Sequence, residues 1–110
     1  MNPVTGRLGV LFDDRSYGTG TTYDITLATG QPGGAFTPTR VSTESSHLTD
    51  NLWFPAGVLG CETCVSWIGD FLTIAYDSHG TAHMVWTDLR RKVTIGKRTG
   101  YTENIFYASG

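Results

Sequence analysis

The sequence predicts an all-β fold made of short antiparallel strands. No stretch of the 110 residues shows the sustained i, i+3, i+4, i+7 apolar spacing of an amphipathic helix. Alternation with a period of two is frequent instead, as in residues 8–12, 23–28 and 82–86, and is typical of strands with one buried face. The 14 glycines and the low charged fraction of 16% also favour strands joined by tight turns.

A repeated pattern arranges these strands in two similar units. Residues 6–14 match residues 80–88, and each copy follows a tight polar turn and ends in an aromatic residue, a variable residue and Asp. Residues 24–30 then match residues 104–110. The offset between the copies is 74 residues at the first match and 80 at the second, so the second copy holds six additional residues between its two strands. Such self-similarity is the sequence signature of a repeat architecture.

The repeat unit has four strands, here named A to D, and the chain supplies two incomplete units. Residues 1–43 supply strands B, C and D of the first unit, and residues 70–110 supply strands A, B and C of the second. Residues 44–69 form the long connection between them. A four-stranded unit connected in this way is the blade of a β-propeller, whose ring needs at least about four blades. The predicted fold is therefore a propeller fragment of roughly one and a half four-stranded blades, too short to close a ring.

These segments resemble the bacterial sialidase-like propellers with Asp-box (BNR) repeats. The resemblance covers nearly the whole chain and is carried best by residues 6–28, 68–71 and 80–90. At residues 29–36, where that family has its Asp-box, the Gly pair and the aromatic residue are present, but Pro32 stands at the Asp position.

The resemblance implies a parent protein that is an exo-sialidase-like glycoside hydrolase acting on terminal acidic sugars. The alternative is a non-catalytic propeller that binds glycan or protein, the isolated fragment being inactive. The same resemblance implies a secreted, cell-surface or periplasmic location, with any signal peptide upstream of this segment.

Strand polarity places a set of charged residues at the end of the blades where strand B leads to strand C. An aspartate there can act as general acid or base if partial burial raises its pKa, and an arginine fork can bind a carboxylated sugar in a bidentate manner. The structural alternatives are an aspartate that caps a turn and an Asp–Arg pair that ties strand ends together. The catalytic candidate is Asp70, and the candidates for substrate binding are Asp14, Arg15, Asp88, Arg90 and Arg91.

Cys61 and Cys64 form a Cys-x-x-Cys motif in the long connection. A zinc site would need two further ligands, and a redox motif would need a helix that begins after the first cysteine. A disulfide that pins the connection is the favoured interpretation in an extracellular protein. The sequence predicts no metal site and no cofactor.

The charge pattern bears on the choice of partners. The net charge of −2 provides no global field for nucleic acid, and no apolar run approaches the roughly 20 residues of a membrane span. Five of the eight basic residues lie within residues 90–98, a segment that either holds an anionic glycan or is a solvated loop. The expected partners are glycan and further blades. An open edge where the first strand A is missing predicts self-association of the isolated chain.

Overall fold

The computed structural model describes residues 1–53 and 71–110, and within these ranges the chain forms strands and no helix. The strands are β1 (Leu8–Asp14), β2 (Thr22–Gly30), β3 (Phe36–Arg40), β4 (Ser46–His47), β5 (Leu72–Tyr76), β6 (Ala82–Ile95) and β7 (Arg98–Ser109). They make two antiparallel sheets, with β1, β2, β3 and the short β4 in the first and β5, β6 and β7 in the second. The prediction of an all-β fold is confirmed. The described ranges hold no helix that is long and apolar enough to span a membrane.

The two sheets pair their strands in the same register. In the first sheet Asp14 of β1 lies opposite Asp24 of β2. In the second sheet the residues that the repeat aligns with them, Asp88 of β6 and Asn104 of β7, also lie opposite each other. The two copies found in the sequence therefore also share the same register of strand pairing.

The turns that precede β1 and β6 are also alike. Asn2 opens one turn and Asp77 the other, and the Oδ1 atom of each accepts two backbone N–H hydrogen bonds of 2.9–3.0 Å. Gly6 and Gly80 close the turns with φ angles of 68° and 84°, which a residue with a side chain adopts only with strain. Asn2 Nδ2 donates to the carbonyl of Gly80 at 2.8 Å, so the two turns lie side by side.

Within the described ranges the two sheets pack face to face, and apolar side chains from both form one core cluster. At the end away from the paired turns, Tyr23 Oη donates to the carbonyl of Thr87 at 2.9 Å, and the Leu89 N–H donates to Ser46 Oγ at 3.0 Å. Equivalent ends of the two sheets are thus adjacent. Burying each large apolar side chain of the core contributes about 1.5–3 kcal/mol. The buried members of the core are Tyr23, Ile25, Ala82, Met84, Trp86 and Leu89.

The connection between strands B and C of the second unit is a long β-hairpin and not a loop. β6 and β7 remain paired up to a two-residue turn at Gly96 and Lys97. A bulge between Asp88 and Arg91 shifts the register, and the side chains of both Asp88 and Leu89 are buried there. The six additional residues lengthen two strands because the hairpin is rich in Thr and β-branched residues, which favour strands.

The described part of the long connection is tied to both sheets. β4 pairs with the start of β2, and Asn51, 1% exposed, forms a bridge with Tyr101 of β7. The Leu52 N–H donates to the Tyr101 carbonyl at 2.9 Å, and the Tyr101 N–H donates to the Asp50 carbonyl at 2.7 Å. Residues 44–53 therefore carry backbone pairing that the sequence pattern does not reveal.

We expect Gly100→Ala to lower the free energy of unfolding by about 1–3 kcal/mol, because it overpacks a closed site. Gly100 is buried, and a Cβ atom there would overlap the backbone carbonyl of Asp50 and lie 3.1 Å from the Leu52 side chain. Chemical denaturation of the purified variant measures the loss. Gly34→Ala is the matched control, because its new Cβ meets its nearest neighbour, Gln31, at an ordinary 3.4 Å. Equal losses in both variants would show that the close approach at Gly100 is not the cause.

Candidate functional site

The candidate site lies where β1 ends and β6 bulges. The hydrogen bond from Tyr23, at the start of β2, to Thr87 of β6 holds this end of the first sheet against the second sheet. Burial raises the pKa of the Tyr23 phenol, which keeps this donor protonated. The predicted residues Asp14, Arg15, Asp88, Arg90 and Arg91 are all within the described ranges. Asp70, Cys61 and Cys64 lie outside the described residues.

Asp88 and Arg90 form a buried bidentate ion pair. Arg90 Nε donates to Oδ1 of Asp88 at 2.8 Å, and Arg90 Nη2 donates to Oδ2 at 2.7 Å. The Arg90 N–H and the Trp86 indole N–H each add a hydrogen bond of 3.0 Å. Asp88 is 0% exposed, and each of its oxygens accepts two hydrogen bonds from the chain. The carboxylate is therefore held as an acceptor by neighbours on its own strand.

The Arg90 guanidinium also reaches across to the first sheet. Its Nη1 donates to Thr43 Oγ1 at 2.9 Å, and its Cζ lies 4.2 Å from the centroid of the Phe106 ring. The hydrogen bonds to Asp88 raise the pKa of Arg90, and the side chain is only 9% exposed. The fork that could grip a carboxylated sugar is thus occupied by Asp88. A cleft of about 130 Å³ beside it is lined by Val41, Thr43, Trp86, Arg90, Phe106, Tyr107 and Ala108.

Asp14, the repeat equivalent of Asp88, has a more open setting. Its Oδ1 accepts the N–H of Ser16 at 2.8 Å, as Asp88 accepts the N–H of Arg90, and its Oδ2 accepts Thr26 Oγ1 at 2.9 Å. The hydrogen bonds from Ser16, first of all, lower the pKa of Asp14. The same local turn occurs in both copies, but only the second copy adds a guanidinium to it.

Arg15 and Arg91 are the exposed cations of the site. Arg15 Nη2 donates to the Gly20 carbonyl at 2.6 Å within the loop that joins β1 to β2. Arg91 Cζ lies 6.0 Å from the centroid of the Phe106 ring, the same ring over which the Arg90 guanidinium lies. Within the part of the chain that the structure describes, neither arginine makes an ion pair with a carboxylate. Both guanidinium groups can therefore meet an external anion.

A second buried aspartate lies close by and was not among the predicted residues. Asp24, 1% exposed, accepts two hydrogen bonds from Arg40 at 3.0 and 2.6 Å, and one of 2.8 Å from each of the Ser42 and Ser45 hydroxyls. Burial acts to raise the pKa of Asp24, but the hydrogen bonds from Ser42, Ser45 and Arg40 outweigh it and lower the pKa. Arg40 in turn lies over the Tyr17 ring at 5.3 Å. The sequence signal for this cluster is an aspartate within an apolar strand, which requires a partner when buried.

Residues 41–46 connect the two aspartate clusters. Ser42 and Ser45 bind Asp24, Thr43 binds Arg90, and Ser46 accepts the Leu89 N–H of the second sheet. This polar segment therefore fixes the site across both sheets.

The described residues offer no group of three or more His, Cys, Asp or Glu side chains arranged to hold a metal ion. What the site presents is a set of fixed hydrogen-bond donors, two exposed guanidinium groups and a small aromatic cleft. Comparison of the chain with protein-family models, with curated proteins and with solved structures finds no match.

Proposed function

We propose that the two sheets are successive blades of a sialidase-like β-propeller that acts on glycans ending in an acidic sugar. The observation that supports this proposal is the repeated strand register in two sheets that pack face to face with equivalent ends together. Stacked sheets of one repeat are the building principle of propellers. The resemblance to this family then implies a parent protein that is secreted, at the cell surface or periplasmic.

In this proposal Arg91 binds the sugar carboxylate. The Asp88–Arg90 pair positions Arg91 through the Phe106 ring that both arginines contact. Asp88 holds Arg90, Arg90 lies on Phe106, and Arg91 lies against the same ring while its guanidinium remains exposed. A guanidinium offers a carboxylate two parallel hydrogen bonds, which makes arginine the suitable residue for this contact. Arg15, exposed at the end of β1 in the first sheet, is a further candidate for contact with the acidic sugar.

The alternative is a non-catalytic propeller that binds glycan or protein, and one observation favours it. Asp88 is buried and accepts four hydrogen bonds, so proton transfer by this carboxylate would require the ion pair to break. In a hydrolase the general acid or base would then be supplied by Asp70 or by another blade.

The test is a titration of the chain with 3′-sialyllactose and with lactose, followed by NMR. We expect the acidic sugar to bind more tightly than lactose. We expect Arg91→Ala to weaken that binding about tenfold or more, because hydrogen bonds to charged groups contribute about 1.5–3 kcal/mol. Arg98→Ala, which removes an exposed arginine near the tip of the hairpin, is the matched control and should leave the affinity unchanged.

A hydrolysis assay distinguishes the glycoside hydrolase from the non-catalytic binding propeller. A protein that contains all blades should hydrolyse a fluorogenic sialoside if it is an enzyme, and Asp70→Ala should abolish that activity. Binding without turnover would favour the non-catalytic alternative. Equal affinity of the chain for sialyllactose and lactose, or no effect of Arg91→Ala, would remove the acidic-sugar assignment.

A further inference from the structure

Each sheet has two different faces, because side chains alternate along its strands. In the first sheet one face, here named face X, holds Leu11, Ile25 and Leu27, and the other, face Y, holds Val10, Phe12 and Ala28. The repeat assigns the second sheet an equivalent of each face. Face X of the second sheet is formed by Val85, Ile105 and Tyr107, and face Y by Met84, Trp86 and Ala108.

The contact between the two sheets joins unlike faces. The core contains Leu11, Ile25 and Leu27 from face X of the first sheet, and it contains Met84 and Trp86 from face Y of the second. A contact between two different surfaces is heterologous, and it leaves the partner surface of each unit free to repeat the same contact. Among the described strands, face Y of the first sheet and face X of the second do not take part in this contact.

Apolar residues on the two remaining faces are exposed, whereas their repeat equivalents in the contact between the sheets are buried. Ile25 on face X of the first sheet is 1% exposed, whereas its equivalent Ile105 is 69% exposed. Met84 on face Y of the second sheet is 4% exposed, whereas its equivalent Val10 is 49% exposed. Tyr107, equivalent to the core residue Leu27, is 58% exposed. Neighbouring apolar groups of this kind mark an interaction surface.

We propose that a second copy of this chain docks there, with face Y of its first sheet on face X of the second sheet of its neighbour. The occupant follows from the existing interface, because the two open faces are the repeat equivalents of two faces that already pack on each other. This contact is made by sheet faces and differs from the pairing through strand edges that the sequence suggests. If the contact closes into a ring of about four to eight blades, about two to four copies complete it.

The test measures the mass of the wild-type chain and of two face variants by light scattering after gel filtration. We expect the wild type to form species that are multiples of the 12.0 kDa chain. Val10→Lys on face Y and Ile105→Lys on face X should each give the single chain, because each places a charge in the contact. Both positions are exposed, so the variants should keep the wild-type circular dichroism spectrum. Val4→Lys, in the turn before β1 and 64% exposed, is the matched control and should assemble as wild type.

An equimolar mixture of the two variants gives the decisive result. Each variant keeps one intact face, and the two intact faces are complementary, so we expect a species of two chains that neither variant forms alone. Dissociation by only one of the two variants would show a symmetric contact through a single face and would overturn the proposal. Unchanged assembly in both variants would assign association to strand edges. A wild-type chain that stays single at high concentration would assign the open faces to another occupant, such as flanking blades.

Discussion

Asp88→Ala is expected to lower the free energy of unfolding by about 3–5 kcal/mol, because it leaves a buried guanidinium without its partner. Arg90 is 9% exposed and donates two side-chain hydrogen bonds to Asp88. The Trp86 indole N–H loses its acceptor in the same substitution. Small domains have a total free energy of unfolding of about 5–15 kcal/mol, so the expected loss is a large fraction of the total. Urea denaturation followed by tryptophan fluorescence measures the loss.

Asp14→Ala is the matched control for Asp88→Ala, because Asp14 is the repeat equivalent and makes the same local turn without a guanidinium. We expect a clearly smaller loss of stability from it. The double variant Asp88→Ala with Arg90→Ala should be more stable than Asp88→Ala alone, since it removes the unpaired charge. If Asp88→Ala and Asp14→Ala cost the same, the buried pair is not the main stabilising element of this end of the sheets.

The strand pattern and the repeat were predictable because they depend on local alternation and on self-similarity. The alternation of residues 82–86, for example, places Met84 and Trp86 on the same side of β6, and both are buried, with 4% and 3% exposure. The repeat aligns Asp14 with Asp88 and Asp24 with Asn104, and in each sheet the two residues lie opposite each other. Period-two patterns encode which side of a strand is buried, and a repeat indicates which strands of the two copies are equivalent.

The polar contacts were less predictable because they depend on tertiary placement. The sequence offers Asp88 and Arg90 as a sugar-binding pair or as a structural tie, and the geometry shows them bound to each other. Asp24 was missed because its partner Arg40 lies on β3 and its serine partners follow β3, which no local pattern relates to β2. The hairpin was missed because charged residues within it resemble a solvated loop.

Asp24→Asn is expected to lower the free energy of unfolding by about 2–4 kcal/mol, because an amide cannot accept all the hydrogen bonds that the carboxylate receives. Asp24 accepts bonds from Arg40, Ser42 and Ser45, and a neutral side chain leaves the guanidinium without a counter-charge. The expected loss is below that for Asp88→Ala, since Arg40 is 36% exposed and water can take up part of its charge. Asp50→Asn is the matched control, because Asp50 is exposed and its φ of 60° suits asparagine.

The same aspartate should set part of the acid sensitivity of the fold. The pKa of Asp24 in the folded chain is lowered, so its ionised form contributes stability that is fully present above the unfolded pKa of about 4. This contribution disappears as the pH falls through the folded pKa. The wild type should therefore lose stability steeply below about pH 4, and Asp24→Asn should lose less over the same window. The pKa values of Asp14 and Asp77 are also lowered, so the free energy of unfolding of the variant should still fall somewhat with decreasing pH. Urea midpoints measured from pH 7 to pH 2 give both curves, and parallel curves would show that the pKa of Asp24 is not lowered in the folded chain.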